Sequence, residues 1–187
     1  MSIPYNRVLR HCGDAKNNAT QKDSTILSYD FSEESLQKFY LQGKWVEFLR
    51  QLDRDWHWYC HLTFPAQAVE TSAQRSFGIW IHDLNRKEFG HHYWKHPGKG
   101  ITWVRGSEYQ ERGDIHFHAA IGTCHLETEI GRKRWAKITR GNAKIELYDA
   151  EKKGIEYIVK HCKPGNGNIE VSKTMRNMLP HYGLDVA

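Results

Sequence analysis

The sequence has few cysteines, 4 in 187 residues, and no C-x-x-C pair among them. Cys12, Cys60, Cys124 and Cys162 lie far apart, too sparse for the disulfide framework of a small secreted domain. Each has a histidine neighbour, but a structural zinc site usually puts two ligands on one short knuckle, so reduced thiols are the expectation. No apolar run approaches the ~20 residues of a membrane helix, so no membrane partner is expected. Met1 to Asn6 shows no charged stretch leading into an apolar one, which argues against a secretory leader. No internal repeat, low-complexity tract or proline-rich linker divides the chain. There is no G-x-x-x-x-G-K-[ST] loop, so no helicase domain is expected.

What is present is aromatic, basic and rich in histidine. The chain holds 12 His, 7 Trp and 9 Tyr, with 27 Lys plus Arg against 22 Asp plus Glu for a formal charge of +5. That many aromatics can build a core, which excludes a disordered chain. The length fits one domain. Residues 1–30 are polar and weakly patterned and read as an N-terminal arm; 31–187 reads as a single domain.

A helix is expected from about Ser32, with Leu36, Phe39 and Tyr40 at helical spacing and Trp45, Phe48, Leu49 and Leu52 continuing past Gly43. Residues 56–64 alternate. Trp56, Trp58, Cys60, Leu62 and Phe64 take one face of a strand and His57, Tyr59, His61 and Thr63 the other, and Pro65 ends it. Thr71 to Phe89 reads as a helix with the stripe Phe77, Trp80, Ile81 and Leu84. The segment from His91 to Gly98 has neither period and reads as a loop. Ile101–Tyr109 and Ile115–Ile121 form an expected antiparallel hairpin about Arg112-Gly113-Asp114. A helix over 126–138, a strand over 143–148, a helix over 151–162 and a tail complete the chain. The order predicts an α+β fold, a ferredoxin-like antiparallel sheet with flanking helices.

The most informative stretch is Ile115-His116-Phe117-His118-Ala119-Ala120-Ile121. On a strand, His116 and His118 share one face while Ile115, Phe117, Ala119 and Ile121 share the other. Two imidazoles one pleat apart can share a metal ion, or can be two solvated histidines on a half-exposed sheet. Hairpin geometry brings Glu108 beside them. Two His and one carboxylate leave open positions on an octahedral ion such as Mg²⁺ or Mn²⁺, which suits Lewis-acid work on a phosphate oxygen.

Downstream, Tyr157 and Lys160 stand three apart on one helical face, off the apolar stripe Ile155, Ile158, Val159 and Cys162. Tyrosine is a competent covalent nucleophile when its proton can leave, and a nearby metal or lysine can supply charge where a pentavalent phosphate becomes more negative. Tyr-x-x-Lys alone is a weak signal; its value comes from following the histidine strand. Tyr148, nine residues upstream on an expected strand, reads as structural.

With these motifs on the page, the chain resembles a family. His116-Phe117-His118, Tyr157-x-x-Lys160 and Cys60-His61-Leu62-Thr63-Phe64-Pro65 are similar in order and spacing to the three motifs of rolling-circle replication initiators (Rep) of the His-hydrophobic-His (HUH) endonuclease superfamily, single-tyrosine type. The resemblance covers about residues 56–163. It implies the HUH endonuclease fold, Mn²⁺ or Mg²⁺ held by Glu108, His116 and His118, and Tyr157 attacking a phosphate of single-stranded DNA. That attack would leave a 5′-phosphotyrosine link and a free 3′-OH to prime rolling-circle replication. Lys160 would orient the phosphate, and His61 and Thr63 would lie near the DNA. The implied partners are single-stranded DNA or an origin hairpin and a separate host helicase and polymerase. The implied location is intracellular at the DNA, cytoplasmic, or nuclear if the source is a eukaryotic virus.

Other readings stay open. A single-tyrosine transposase or relaxase would use the same chemistry. His61-x-Thr63 fits one element of a metal-independent two-histidine phosphoesterase, which needs a second H-x-[ST]. A non-catalytic nucleic-acid-binding module could use the same sheet. Basic residues gather at Arg132, Lys133, Arg134, Lys137 and Arg140; on a helix, 133, 137 and 140 could track a phosphate backbone or be a solvated face.

Overall fold

The computed structural model describes residues 33–52, 56–65, 68–96, 98–110, 113–160 and 169–176. The expected N-terminal arm, Cys12, Cys162 and the turn residue Arg112 lie outside these. Five strands and five helices are described. In chain order they are α1 (Glu33–Arg50), β1 (Trp56–Thr63), α2 (Glu70–Phe89), β2 (Thr102–Tyr109), β3 (Ile115–Gly122), α3 (Thr128–Thr139), β4 (Ala143–Leu147), α4 (Gly154–Lys160), β5 (Ile169–Val171) and α5 (Lys173–Arg176). Single 3₁₀ turns stand at Tyr93–Lys95 and Ala150–Lys152. The strands form one antiparallel sheet in the order β4-β1-β3-β2-β5. This is a ferredoxin-like α+β fold.

The sheet separates two cores because its strands alternate. Trp58, Cys60, Leu62, Phe117, Ala119 and Ile121 point to one side, where Phe77, Trp80 and Leu84 of α2 and Trp135 of α3 cover them. Two indole nitrogens brace this layer: Trp80 Nε1 donates to the Gly131 carbonyl at 3.0 Å and Trp135 Nε1 to the Thr63 carbonyl at 3.0 Å. Val104 and Ala120 point to the other side, under Ile155, Ile158 and Val159 of α4 and Trp45, Phe48 and Leu49 of α1.

Three expectations need correction. Trp56 does not share the face of Trp58. The β1–β3 register slips between them, and Trp56 joins the α1 side with its indole donating to the Leu49 carbonyl at 3.1 Å. A bulge of this kind inserts one residue and so reverses the side to which preceding residues point. Phe39 and Tyr40 are 77% and 63% exposed rather than packed. At ~1.5 Å per residue α1 is ~27 Å long and α4 only ~10 Å, so α4 cannot cover all of α1, and the buried α1 residues of this core are Trp45, Phe48 and Leu49. The expected tail contains β5, which pairs with Val104–Gly106 of β2 at the sheet edge.

Candidate functional site

Two rows of residues run across β1, β3 and β2 on the α4 side. One is Thr63, His116 and Glu108; the next is His61, His118 and Gly106. The hairpin expected from sequence therefore forms with Glu108 directly opposite His116. Strand alternation projects all three donor side chains from the same face. His116 Nε2 lies 2.8 Å from Glu108 Oε2 and 2.9 Å from His118 Nε2, and His118 Nε2 lies 3.1 Å from Glu108 Oε2. The side chains are 13%, 28% and 2% exposed for His116, Glu108 and His118. Three possible donor atoms, two of them on imidazoles, thus converge within 3.1 Å of one another. The group Glu108, His116 and His118 could hold a metal ion. It is the one such cluster among the described residues. His116 Nδ1 is buried without a hydrogen-bond partner, so its ring is held by packing and by the triangle itself.

α4 brings Tyr157 over this triangle. Ile155, Ile158 and Val159 are fully buried and press the helix onto the sheet, which turns Tyr157 toward the histidines. Its ring centroid lies 4.6 Å from that of His118, edge-on, and 6.2 Å from that of His61. His61 in turn packs 4.5 Å from His118 and 5.0 Å from Tyr59. The approach depends on Gly106: a Cβ there would sit 3.1 Å from the Ile158 carbonyl oxygen. Gly154 does the same at the start of the helix, where a Cβ would meet the Tyr59 ring at 2.9 Å.

Burial, then the Glu108 carboxylate, raises the Tyr157 phenol above its ordinary range, so the phenol holds its proton. Burial first, and the Lys144 ammonium second, lower His61, which favours its neutral imidazole. Burial keeps Tyr59 protonated, Tyr157 adding a smaller push in the same direction.

Comparison with protein-family models, curated proteins and solved structures finds no match for this chain.

The structure brings together five of the seven residues singled out from sequence: Glu108, His116, His118, Tyr157 and His61. Thr63 lies in the same row, but its hydroxyl is committed. It donates to the Asn142 carbonyl and accepts from the Asn142 N–H, both at 3.1 Å, tying β1 to the start of β4. Lys160 is exposed one turn beyond Tyr157 and lines the groove between α4 and α1 with Phe39, Gln42 and Val46. The cation that shares a cleft with Tyr157 is Lys152; this cleft of about 240 Å³ is also lined by Tyr59, His61, Glu146 and Tyr148. Lys152, Tyr59 and Gly106 escaped the sequence reading. Tyr59 carried a signal, being on the polar face of an alternating strand. Lys152 carried none, since its place depends on the 3₁₀ turn that precedes α4. Tyr148 is partly buried against the α1–α4 core, as expected of a packing residue.

Proposed function

We propose that this chain is a metal-dependent single-stranded DNA nicking and joining enzyme of the HUH type, one that opens a replication origin to start rolling-circle replication. The observation that carries the reading is the placement of the Tyr157 ring 4.6 Å from His118, itself a corner of the Glu108-His116-His118 triangle. A nucleophile and a metal-ligand set on different elements share one surface, as phosphodiester transesterification needs.

Glu108, His116 and His118 would hold the ion, with their donor atoms 2.8, 2.9 and 3.1 Å apart. The ion proposed is Mn²⁺ or Mg²⁺, for which the Glu108 carboxylate would be the oxygen donor. When bound, the ion supplies positive charge to a phosphate oxygen and offsets the Glu108 charge that raises the Tyr157 phenol.

The residues' own work follows. Tyr157 Oη forms a bond to phosphorus and loses its proton to solvent. The bond from phosphorus to the 3′ oxygen breaks, and that oxygen takes up a proton to leave a free 3′-OH. The enzyme keeps a 5′-phosphotyrosine link, and attack by the same or another 3′-OH reverses it. The rings of Tyr59 and His61 wall the cleft beside Tyr157. Lys152, loosely paired with Asp149 at 3.8 Å, lines the cleft and Lys160 lies on the α1 side of α4; both would contact the DNA backbone. The partners are single-stranded DNA or an origin hairpin and a separate helicase and polymerase, at intracellular DNA.

The test incubates the protein with 3′-labelled single-stranded hairpin DNA and Mn²⁺ and resolves it on a denaturing gel. A labelled band at protein mass, absent in Tyr157→Phe and without metal, is the expected result. No adduct with any hairpin of a varied set would overturn the reading.

A further inference from the structure

The opposite face of the sheet carries a feature that the tyrosine site leaves unexplained. Between the outer sides of α2 and α3 lies a cleft of about 610 Å³ with an apolar floor of Leu84 and Ile130. Its rim carries Arg86 and Lys87 from the last turn of α2 and Lys133, Arg134 and Lys137 from α3. Against these five cations stands one carboxylate in the lining, Asp83, already joined to Arg134. Lys133 makes only a loose exposed contact with Glu129, at 3.5 Å. Arg86, Lys87 and Lys137 have no ion pair among the described residues, so the cleft concentrates positive charge.

An independent observation lies at the end of the cleft. His91, which also lines it, packs 6.3 Å from the ring of Trp94. Trp94 is 54% exposed, although a large apolar ring is ordinarily covered. It is not loose. The turn Tyr93–Lys95 is tied to α2 by His82 and the Tyr93 hydroxyl at 2.9 Å, and Trp94 stacks on His82 at an interplanar angle of 28°. Tyr93 and His92 meet its edge. The indole thus packs among His82, His91, His92 and Tyr93, and His91 links it to the basic cleft. Aromatic faces next to a basic groove suit single-stranded nucleic acid, whose bases stack while phosphates follow the charge.

We infer that the α2–α3 cleft and the Tyr93–Lys95 turn form a second nucleic-acid-binding surface, which takes single-stranded DNA or RNA with one base on Trp94 and the backbone along Arg86, Lys87, Lys133 and Lys137. This surface lies beyond the proposed nicking site and does not rest on it.

Binding of a labelled oligo-dT of about 20 nucleotides is measured by fluorescence anisotropy, without metal, in a Tyr157→Phe background so that no covalent product forms. Trp94→Ala is expected to weaken binding by about five- to a hundredfold, and Trp94→Phe to restore most of it. Arg86→Gln, Lys87→Gln and Lys137→Gln together are expected to weaken binding more than tenfold and to flatten the slope of log affinity against log salt by about 2. A duplex of equal length should not respond to Trp94→Ala. The same substitutions placed in the native chain should leave adduct formation on a short hairpin unchanged, which separates failure here from failure at Tyr157. Unaltered oligo-dT affinity and salt slope in both the Trp94→Ala and the triple variant would overturn the proposal. So would an equal effect of Trp94→Ala on duplex and single strand.

Discussion

At the scale of single residues, the site depends on where three atoms stand. Glu108→Gln keeps the shape of the side chain and removes its charge. Loss of an outer partner alone typically costs 10–100-fold in metal affinity, so loss of a ligand charge is expected to weaken Mn²⁺ binding at least tenfold by calorimetry. Unchanged affinity would show that the ion is held elsewhere. The cysteines give a separate check. Cys60 and Cys124 are buried free thiols. Burial pushes Cys124 up to about 12 and raises Cys60 well above the ordinary thiol range. A raised pKa leaves little of the reactive thiolate at pH 8. Both should therefore resist alkylation in the native protein and react after denaturation, as peptide mapping would show; rapid native labelling of either would contradict their burial. Residue placement was legible where chemistry and alternation agree, as for Glu108, His116 and His118, which the hairpin brings together. For Thr63, which the resemblance set near DNA, only the fold reveals that its hydroxyl bonds to Asn142.

At the scale of elements, α4 decides whether the tyrosine meets the Glu108-His116-His118 triangle. Seven residues make a helix too short to hold itself, so its position comes from Ile155, Ile158 and Val159 and from the gap that Gly106 leaves beneath Ile158. Gly106→Val puts a branched side chain against the Ile158 carbonyl. Such overpacking typically costs ~1–3 kcal/mol, and chemical denaturation should find a loss of that size. Adduct formation should fall while Mn²⁺ binding by the β2–β3 hairpin persists; joint loss of both would contradict the idea that α4 docks independently of the triangle. Elements with strong periodicity, α2 and the β2–β3 hairpin, were readable because one face of each must be buried. The bulge after Trp56 and the three-residue β5 were not. The first breaks the very alternation used to read the strand, and the second is too short for a period to show.

At the scale of the whole molecule, one sheet keeps two surfaces apart. The α2–α3 side is packed with aromatics around Phe117, which contacts Phe64, Phe77 and the guanidinium of the buried Arg105. Phe117→Ala should cost ~3–5 kcal/mol, because it empties the centre of that layer. Thermal or denaturant unfolding would reveal it, and a loss below about 1 kcal/mol would mean the layer closes around the gap. The ferredoxin-like order was legible because sequential strands with helical crossovers leave few arrangements. The basic cleft between α2 and α3 was not, since it depends on which residues the two helices bring side by side. No described helix is long and apolar enough to cross a membrane. For the proposed nucleic-acid substrate, with a net charge of +5 on the chain, single-strand binding should weaken linearly in log–log terms as salt rises.

The central claim is that Tyr157 and the Glu108-His116-His118 triangle act as one site, and mass spectrometry of the trapped complex tests it most directly. After reaction with single-stranded hairpin DNA and Mn²⁺, nuclease trimming and tryptic digestion, the nucleotide mass should sit on the peptide Gly154–Lys160, on Tyr157, and should vanish in Glu108→Gln. Nucleotide found on any other peptide, or retained on Tyr157 in Glu108→Gln, would contradict it.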